Sequence, residues 1–363
     1  MSKKTNIPET AQKVLFAVEE QNLSLLEDLF ENVNIFDKSL GAFLGAGIGD
    51  SIGSYLEFIG HKPTEEETKK AMEMPGGGHW GVSSGMITDD TELAISLAHG
   101  LLNMEEGYDL DPVAFQYAQW IVSKPFDIGL TCWNSFSVGR KDEKPSRDLT
   151  ERMQYRSEIR ERSKANGSLM RTTPIPIYGH KLTVGEVAKL SQEDSALSHI
   201  NPSCQHSVAA YNIAISYLIN NSTDEDRNIK AFNVAKKWIN ENACEEVKEW
   251  MILAEKKTDI PYWPQAGFVK IAFVHSFRHL LLKTSYEDSI YETCFGGGDT
   301  DTNAAIVGGM MGAYWGIMKI PKKFISVSLN CVLEKRLKRD EKFNPNQIPD
   351  LVLKLLKKAP QEL

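Results

Sequence analysis

The sequence predicts an all-α fold, and three observations predict it. Apolar residues recur at i, i+3 and i+4 in one segment after another. Alternating apolar and polar runs bounded by hairpin turns are scarce. Two segments carry a small residue at every fourth position, which places those residues on one helical face. The 363 residues are 42% hydrophobic and 25% charged. At ~150 residues per domain this allows one large domain or two ordinary ones, and it excludes a wholly disordered chain.

The elements follow in chain order. Residues 10–20 read as a helix with Val14, Leu15 and Val18 on one face, and residues 23–33 as a second with Leu25, Leu26, Leu29 and Phe30. Together they make an N-terminal helical extension over residues 1–38, ahead of a main domain over 39–363. The segment GAFLGAGIGDSIG then spaces Gly41, Gly45, Gly49 and Gly53 four apart. Residues 141–165 are rich in both charges and predict a solvated loop or exposed helix. Helical spacing returns over 231–256 and 267–284. Near the end, AAIVGGMMGAYWG places Ala304, Gly308, Gly312 and Gly316 at the same interval. Each glycine costs a helix interior about 1 kcal/mol relative to alanine. Close approach of two central core helices would offset that cost. A dinucleotide fingerprint at GAGIGDSIG is the alternative, but the GxGxxG spacing is not met and no β-rich run precedes it.

The formal charge of −8 disfavours general nucleic-acid binding and leaves room for carboxylates that hold cations. Five widely spaced cysteines without a CxxC pair argue against a disulfide framework or structural zinc and suit a reducing compartment. No signal peptide, membrane span or lipidation motif is read, so the expected location is cytoplasmic, without a membrane partner.

The chemistry concentrates in two acidic clusters. Thr88, Asp89, Asp90 and Thr91 open one helix; Asp299, Thr300, Asp301 and Thr302 open another, behind the glycines Gly296 to Gly298. Capping accounts for one such start, and Asp89 with Glu92 would form a capping box. It does not account for two aspartates flanked by hydroxyls at both starts. Packing of the helix after Asp301 beside the one after Asp90 would bring four carboxylates together, and such a group needs a cation to remain ionised. Oxygen ligands of this kind suit Mg²⁺, Mn²⁺ or Ca²⁺. His275 and His279 lack a third ligand and read as a polar helix face. TDDTE is not a DDxxD motif, and neither GxSxG nor a Walker A loop occurs.

At these residues the chain resembles the ADP-ribosylglycohydrolase family, which includes ADP-ribosylarginine and nitrogenase-reactivating hydrolases. The resemblance runs from about Leu40 to about Pro321 through GAFLGAGIGDSIGSYLEF, TDDTELAISLA, PFDIGLT, NGSLMR, LSHINP and GGGDTDTNAAIVGGMMGAYWGIMKIP. It implies a compact orthogonal helical bundle, two Mg²⁺ or Mn²⁺ ions, and hydrolysis of the N-glycosidic bond between ADP-ribose and a modified side chain. By motif, Thr88, Asp89 and Asp90 correspond to one metal cluster, and Asp299, Asp301 and Thr302 to the other. Glu57 and Asp127 correspond to acids that ligate metal or take part in catalysis alongside Asp89 and Asp301. Asn166, Gly167, Ser168, His199, Gly297 and Gly298 correspond to the ADP-ribose pocket.

The resemblance further implies an ADP-ribosylated protein as substrate, with arginine the preferred linkage. Because some members act as immunity proteins, an ADP-ribosyltransferase toxin is an expected partner for residues 1–38. A non-catalytic inhibitor that binds ADP-ribose or the transferase, and a metal-dependent phosphohydrolase, are the alternatives.

Overall fold

The computed structural model describes residues 7–105 and 109–360. Seventeen α-helices and no sheet occur among the described residues. In order they are α1 (Glu9–Glu19), α2 (Val33–Gly53), α3 (Glu65–Ala71), α4 (Asp89–Leu102), α5 (Asp111–Val122) and α6 (Leu130–Phe136). Then come α7 (Arg147–Glu158), α8 (Pro174–Tyr178), α9 (Val184–Ala196), α10 (Pro202–Asn220), α11 (Arg227–Asn242) and α12 (Glu245–Glu255). The last five are α13 (Val269–Leu282), α14 (Tyr286–Gly296), α15 (Thr300–Trp315), α16 (Lys322–Leu329) and α17 (Ile348–Lys358).

The two glycine-ridged helices form the centre. Every residue of α2 from Phe36 to Gly53 is buried, and so is every residue of α15 from Thr300 to Tyr314. They run antiparallel, with Gly41 against Gly312, Gly45 against Gly308, Gly49 against Ala304 and Gly53 against Thr300. A Cβ on Gly45 would lie only 2.9 Å from the Gly308 carbonyl oxygen, and at Gly41, Gly49 and Gly53 it would collide with backbone outright. The ridge therefore sets the distance between the helices, which offsets the intrinsic cost of glycine. Tyr286 Oη donates to Gly45 O at 2.6 Å and Tyr211 Oη to Ile306 O at 2.7 Å, so carbonyls along the ridge gain extra donors.

The two ridged helices are thus in close contact with each other, as their spacing predicts, whereas the packing of α15 along α4 considered for the acidic clusters is not its main contact. The acidic start of α15 does not meet the acidic start of α4 through a shared ridge. Instead, α15 lies along α2, and the antiparallel direction carries the C-terminal end of α2 to the N-terminal end of α15.

The N-terminal residues join the same core. Ala11, Val14, Ala17, Val18 and Leu26 are buried in it, and α1 packs on α16 and α17. The helix expected over 23–33 is a 3₁₀ turn over Leu23–Leu26, where Asn22 accepts from Ser24 N at 3.1 Å. Asn32 then caps α2 by accepting from Ile35 N. Helix α2 thus runs across the boundary drawn between residues 38 and 39. There Lys38 Nζ bonds Asp37 Oδ2 at 2.9 Å and Trp315 O at 2.8 Å.

The run over 231–256 is two helices, broken at Ala243 and Cys244, both with extended backbone. His206 Nδ1 accepts the Cys244 N–H at 3.0 Å, which satisfies the donor freed by the break. The charged segment holds α7, capped by Ser146, with Leu149 and Met153 buried beneath an exposed face. His275 and His279 do not form a polar face. Both are buried; His275 Nε2 bonds Ile260 O at 2.9 Å, and its ring stacks on Tyr262 with centroids 4.3 Å apart.

Candidate metal centre and substrate cavity

Three helix ends meet at one place: the C-terminal end of α2 and the N-terminal ends of α4 and α15. The first residue there is one that the sequence motifs did not single out. Asp50 is fully buried and caps α4 from a distance. It accepts from Thr88 N at 3.0 Å, Thr88 Oγ1 at 2.8 Å, Thr91 N at 3.2 Å and Thr91 Oγ1 at 2.6 Å. Burial pushes Asp50 up to about 6 despite these four donors.

With α4 capped by Asp50, its own acids are released from capping. No side-chain cap bond forms at Thr88, and none forms at Asp299 on α15. Nor does Asp89 form a capping box with Glu92. That glutamate pairs instead with Arg339, Nη2 to Oε2 at 2.6 Å, and accepts from Trp120 Nε1 at 2.7 Å. Asp89 Oδ2 accepts from Gly129 N at 3.1 Å. Asp90 Oδ2 accepts from Thr88 Oγ1 at 3.2 Å, while its Oδ1 is buried and has no hydrogen-bond partner. On α15, Asp301 Oδ1 accepts from Thr302 N at 2.8 Å, and Asp299 Oδ2 accepts from Asn166 Nδ2 at 2.7 Å.

Glu57 comes in from just beyond α2. Carboxylate oxygens of Glu57, Asp299 and Asp301 lie within 4.8 Å of one another, close enough to share an ion. Burial first, and Asp127 second, raise Glu57 to about 8. Burial, then Asp50 and Asp299, raise Asp127 to about 7. Asp89, Asp90 and Asp301 are also held well above the usual carboxylate range, burial being the largest cause in each. The second largest differs: Asp127 for Asp89, Asp50 for Asp90, Glu57 for Asp301.

Glu57, Asp89, Asp127, Asp299 and Asp301 face a cavity of about 550 Å³, an ordinary size for a small-molecule site. Its lining includes the acidic set Glu57, Asp89, Asp127, Asp299 and Asp301 with Thr302, together with Asn166, Gly167, His199, Gly297 and Gly298. Thr88, Asp90 and Ser168 lie behind the wall; Ser168 Oγ pairs with Ser195 Oγ at 2.9 Å. No lysine or arginine is among the lining residues. Several carboxylates without a protein cation, and an orphaned buried oxygen on Asp90, fit hard divalent cations held by oxygen ligands.

A further contributor comes from a glycine run. In PGGGHWG, Gly76, Gly77, Gly78 and Gly81 all have positive φ and fold a tight loop ahead of α4. This loop brings Trp80 Nε1 to Glu57 Oε2 at 3.3 Å, and Trp80 also reaches Asp127. Arg336 Nη2 anchors the loop at Trp80 O and at Gly81 O. Phe58, Leu130 and Trp263 line the cavity while remaining about half exposed or more, and they form an apolar rim.

The ADP-ribosylglycohydrolase family profile matches residues 31–357, beyond the Leu40–Pro321 span carried by the motifs. The ADP-ribosyl-[dinitrogen reductase] glycohydrolase of Rhodospirillum rubrum is 26% identical over 313 residues, which cover 84% of this chain and 95% of that protein. An ADP-ribosylarginine hydrolase of Serratia proteamaculans is 25% identical over 303 residues, covering 80% and 74% respectively. A solved structure titled "ADP-ribosylglycohydrolase-related protein complex" superposes with a TM-score of 0.69 at 19% identity, over 90% of this chain and 99% of that one. A match over most of the chain, joined to the same all-helical fold, places this chain in the ADP-ribosylglycohydrolase family.

Proposed function

We propose that the protein is a metal-dependent ADP-ribosylarginine hydrolase that cleaves the N-glycosidic bond between ADP-ribose and an arginine side chain of a modified protein. The observation that carries this reading is the convergence of Glu57, Asp299 and Asp301 within 4.8 Å, in a cavity lined by no lysine or arginine. Two Mg²⁺ or Mn²⁺ ions would be held by Thr88, Asp89 and Asp90 on α4 and by Asp299, Asp301 and Thr302 on α15. Glu57 lies close enough to add a ligand to the second set. When bound, such ions supply Lewis-acid charge that holds ribose hydroxyls and makes water more acidic.

The chain's own groups do the rest. Water adds its oxygen to the anomeric carbon as the carbon–nitrogen bond breaks, and the leaving guanidine takes up the proton. Glu57 or Asp127 orients that water, accepts its proton and passes it on to the leaving guanidine; Trp80 reaches both. Carboxylates of the cavity lining favour the positive charge that develops on the ribose. Asn166, Gly167, His199, Gly297 and Gly298 line the same cavity and would hold the ADP-ribose. At Gly297 and Gly298 positive φ angles let the backbone approach the ligand closely.

A protective role against a transferase toxin is the extension of this reading to residues 1–38. Residues 1–6 lie outside the described residues; over 7–38 the apolar surface is limited, since Leu26 is buried, Leu29 and Phe30 pack on the core, and Phe16 and Leu25 stay exposed. All five cysteines are free, in keeping with a cytoplasmic site of action.

The test is incubation of purified protein with an arginine-ADP-ribosylated peptide, with and without Mg²⁺, and mass spectrometry of the products. Mg²⁺-dependent release of ADP-ribose with arginine restored is the expected result. Release of inorganic phosphate would replace the reading with phosphohydrolysis, and binding without release would replace it with inhibition.

A further inference from the structure

We propose that Arg171 and Ser198 are positioning residues that fix His199 as the neutral Nε2–H tautomer, a lone hydrogen-bond donor aimed at an oxygen of the bound ADP-ribose. The inference rests on the reading of the cavity given above and assigns one of its lining residues a chemistry.

His199 lines the cavity, yet it is 2% exposed and its Nε2 has no hydrogen-bond partner. The ring lies against the 166–168 loop, since a Cβ built on Gly167 would be 3.2 Å from Nε2. On its other side, Nδ1 lies 2.8 Å from Ser198 Oγ. That hydroxyl is fully buried and also receives Arg171 Nη1 at 2.8 Å. A guanidinium only donates, so Ser198 Oγ accepts from Arg171. If Nδ1 donated as well, the hydroxyl would accept twice and its own hydrogen would be buried with no acceptor. If the hydroxyl donates to Nδ1, the one hydrogen left without an acceptor is that on Nε2, on the ring that borders the cavity. Nε2 then carries the ring's one proton. Burial and the Arg171 charge lower His199 to about 3, so a second proton does not bind at neutral pH.

Arg171 is itself immobilised. Its Nε donates to Tyr117 Oη at 2.9 Å and to Asp194 Oδ2 at 3.2 Å, and its Nη2 donates to Asp194 O at 2.9 Å. The nitrogen that holds Ser198 also donates to Gly167 O at 2.9 Å. One atom thus sets both the imidazole and the loop against which it stands. A donor fixed in this way is satisfied by a phosphate or hydroxyl oxygen. It has no lone pair to offer a metal ion or a proton, which distinguishes His199 from the carboxylates that line the same cavity.

Long-range ¹H–¹⁵N correlation spectra of ¹⁵N-histidine-labelled protein, free of metal and nucleotide, test the assignment. His199→Gln identifies the resonance among the eight histidines. The expected wild-type signal is the Nε2–H tautomer, constant between about pH 5 and 8. Ser198→Ala should mix the tautomers and weaken ADP-ribose binding about tenfold, the loss of one well-placed hydrogen bond. An Nδ1–H tautomer or an imidazolium in the wild type would overturn the proposal. So would Ser198→Ala with unchanged tautomer and affinity. The wild-type spectrum decides even if the variant fails to fold. It is also independent of turnover: wild-type protein that binds no ADP-ribose would refute the proposed function and leave the tautomer assignment standing.

Discussion

Gly49→Ala tests whether the glycine ridge both holds the fold and places the site. The three heavy atoms nearest an added Cβ are all backbone, on Ala304 and Ala305, and the most distant of them is 3.0 Å away. Ordinary carbon contacts begin near ~3.5 Å, so α2 and α15 must separate by on the order of 1 Å, because no side chain there can turn aside. Helix propensity favours alanine by about 1 kcal/mol. Overpacking that only backbone motion can relieve costs about 3 kcal/mol. The net expectation is about 2 kcal/mol of lost stability, read by urea denaturation. Because Asp50 follows Gly49, the same displacement moves the α2 end against Asp299 and Asp301, and a misplacement of about 1 Å costs a reacting site about 100-fold in rate. Gly185→Ala is the control. Gly185 is exposed near the start of α9 and a Cβ there meets nothing within 4 Å, so it should gain up to about 1 kcal/mol. Gly49→Ala with wild-type stability and full rate of ADP-ribose release would refute the reasoning.

Arg339→Ala leaves the buried Glu92 carboxylate without its cation and should lower stability by about 3–5 kcal/mol, measured by the same denaturation. Asp90→Asn keeps the shape of the side chain but removes one of the crowded charges. In chelator it should match or exceed the wild-type melting temperature, whereas the rise in melting temperature that Mg²⁺ gives the wild type should be largely lost. Without metal, stability should fall as pH rises. Glu57 moves from 4.5 to about 8 and Asp127 from 3.8 to about 7 on folding, so the folded state binds more protons across that window. Their contribution is complete below about pH 4 and is lost by about pH 8; melting curves in chelator that rise with pH over this range would contradict it. Asp301→Ala should abolish ADP-ribose release while leaving the helical circular-dichroism spectrum in place.

The pattern of small residues was enough to identify the two central helices, because a spacing of four has one geometric meaning on a helix. It also predicted that the two lie in close contact. It did not give their direction, and the antiparallel run of α2 along α15 is what carries Asp50 and Glu57 to the α15 start. A trace of this lay in GIGDSIG, where an aspartate interrupts a helix expected to be buried on all sides. The PGGGHWG run was a second trace: four glycines in so short a stretch ahead of TDDT imply a forced loop, and its purpose became apparent only with Trp80 beside Glu57. Other features left no local signal. Arg339 meets Glu92 across 247 positions, and the break after α11 contains neither glycine nor proline. Leu25, Leu26, Leu29 and Phe30 have helical spacing, but Asn22 and Asn32 draw the local backbone into a turn and a cap instead.

The place of the acids follows from this helix arrangement. The starts of α4 and α15 present the positive ends of two helix dipoles, which favour carboxylates there by up to about 1 kcal/mol each. The end of α2 between them has the opposite sign, and Asp50 adds a further negative charge. The fold therefore offers only partial compensation for Glu57, Asp89, Asp90, Asp127 and Asp301, which is why all five are raised when protein alone surrounds them. A divalent ion would reverse those shifts and stabilise the packing of three helix ends at the same time. Ion binding and helix packing then share one free energy: whatever weakens the α2–α15 ridge should weaken ion affinity as well. Gly49→Ala should accordingly require more Mg²⁺ than the wild type for half-maximal thermal stabilisation. Equal Mg²⁺ requirements, in a variant shown to be destabilised, would separate the ridge from the ion site.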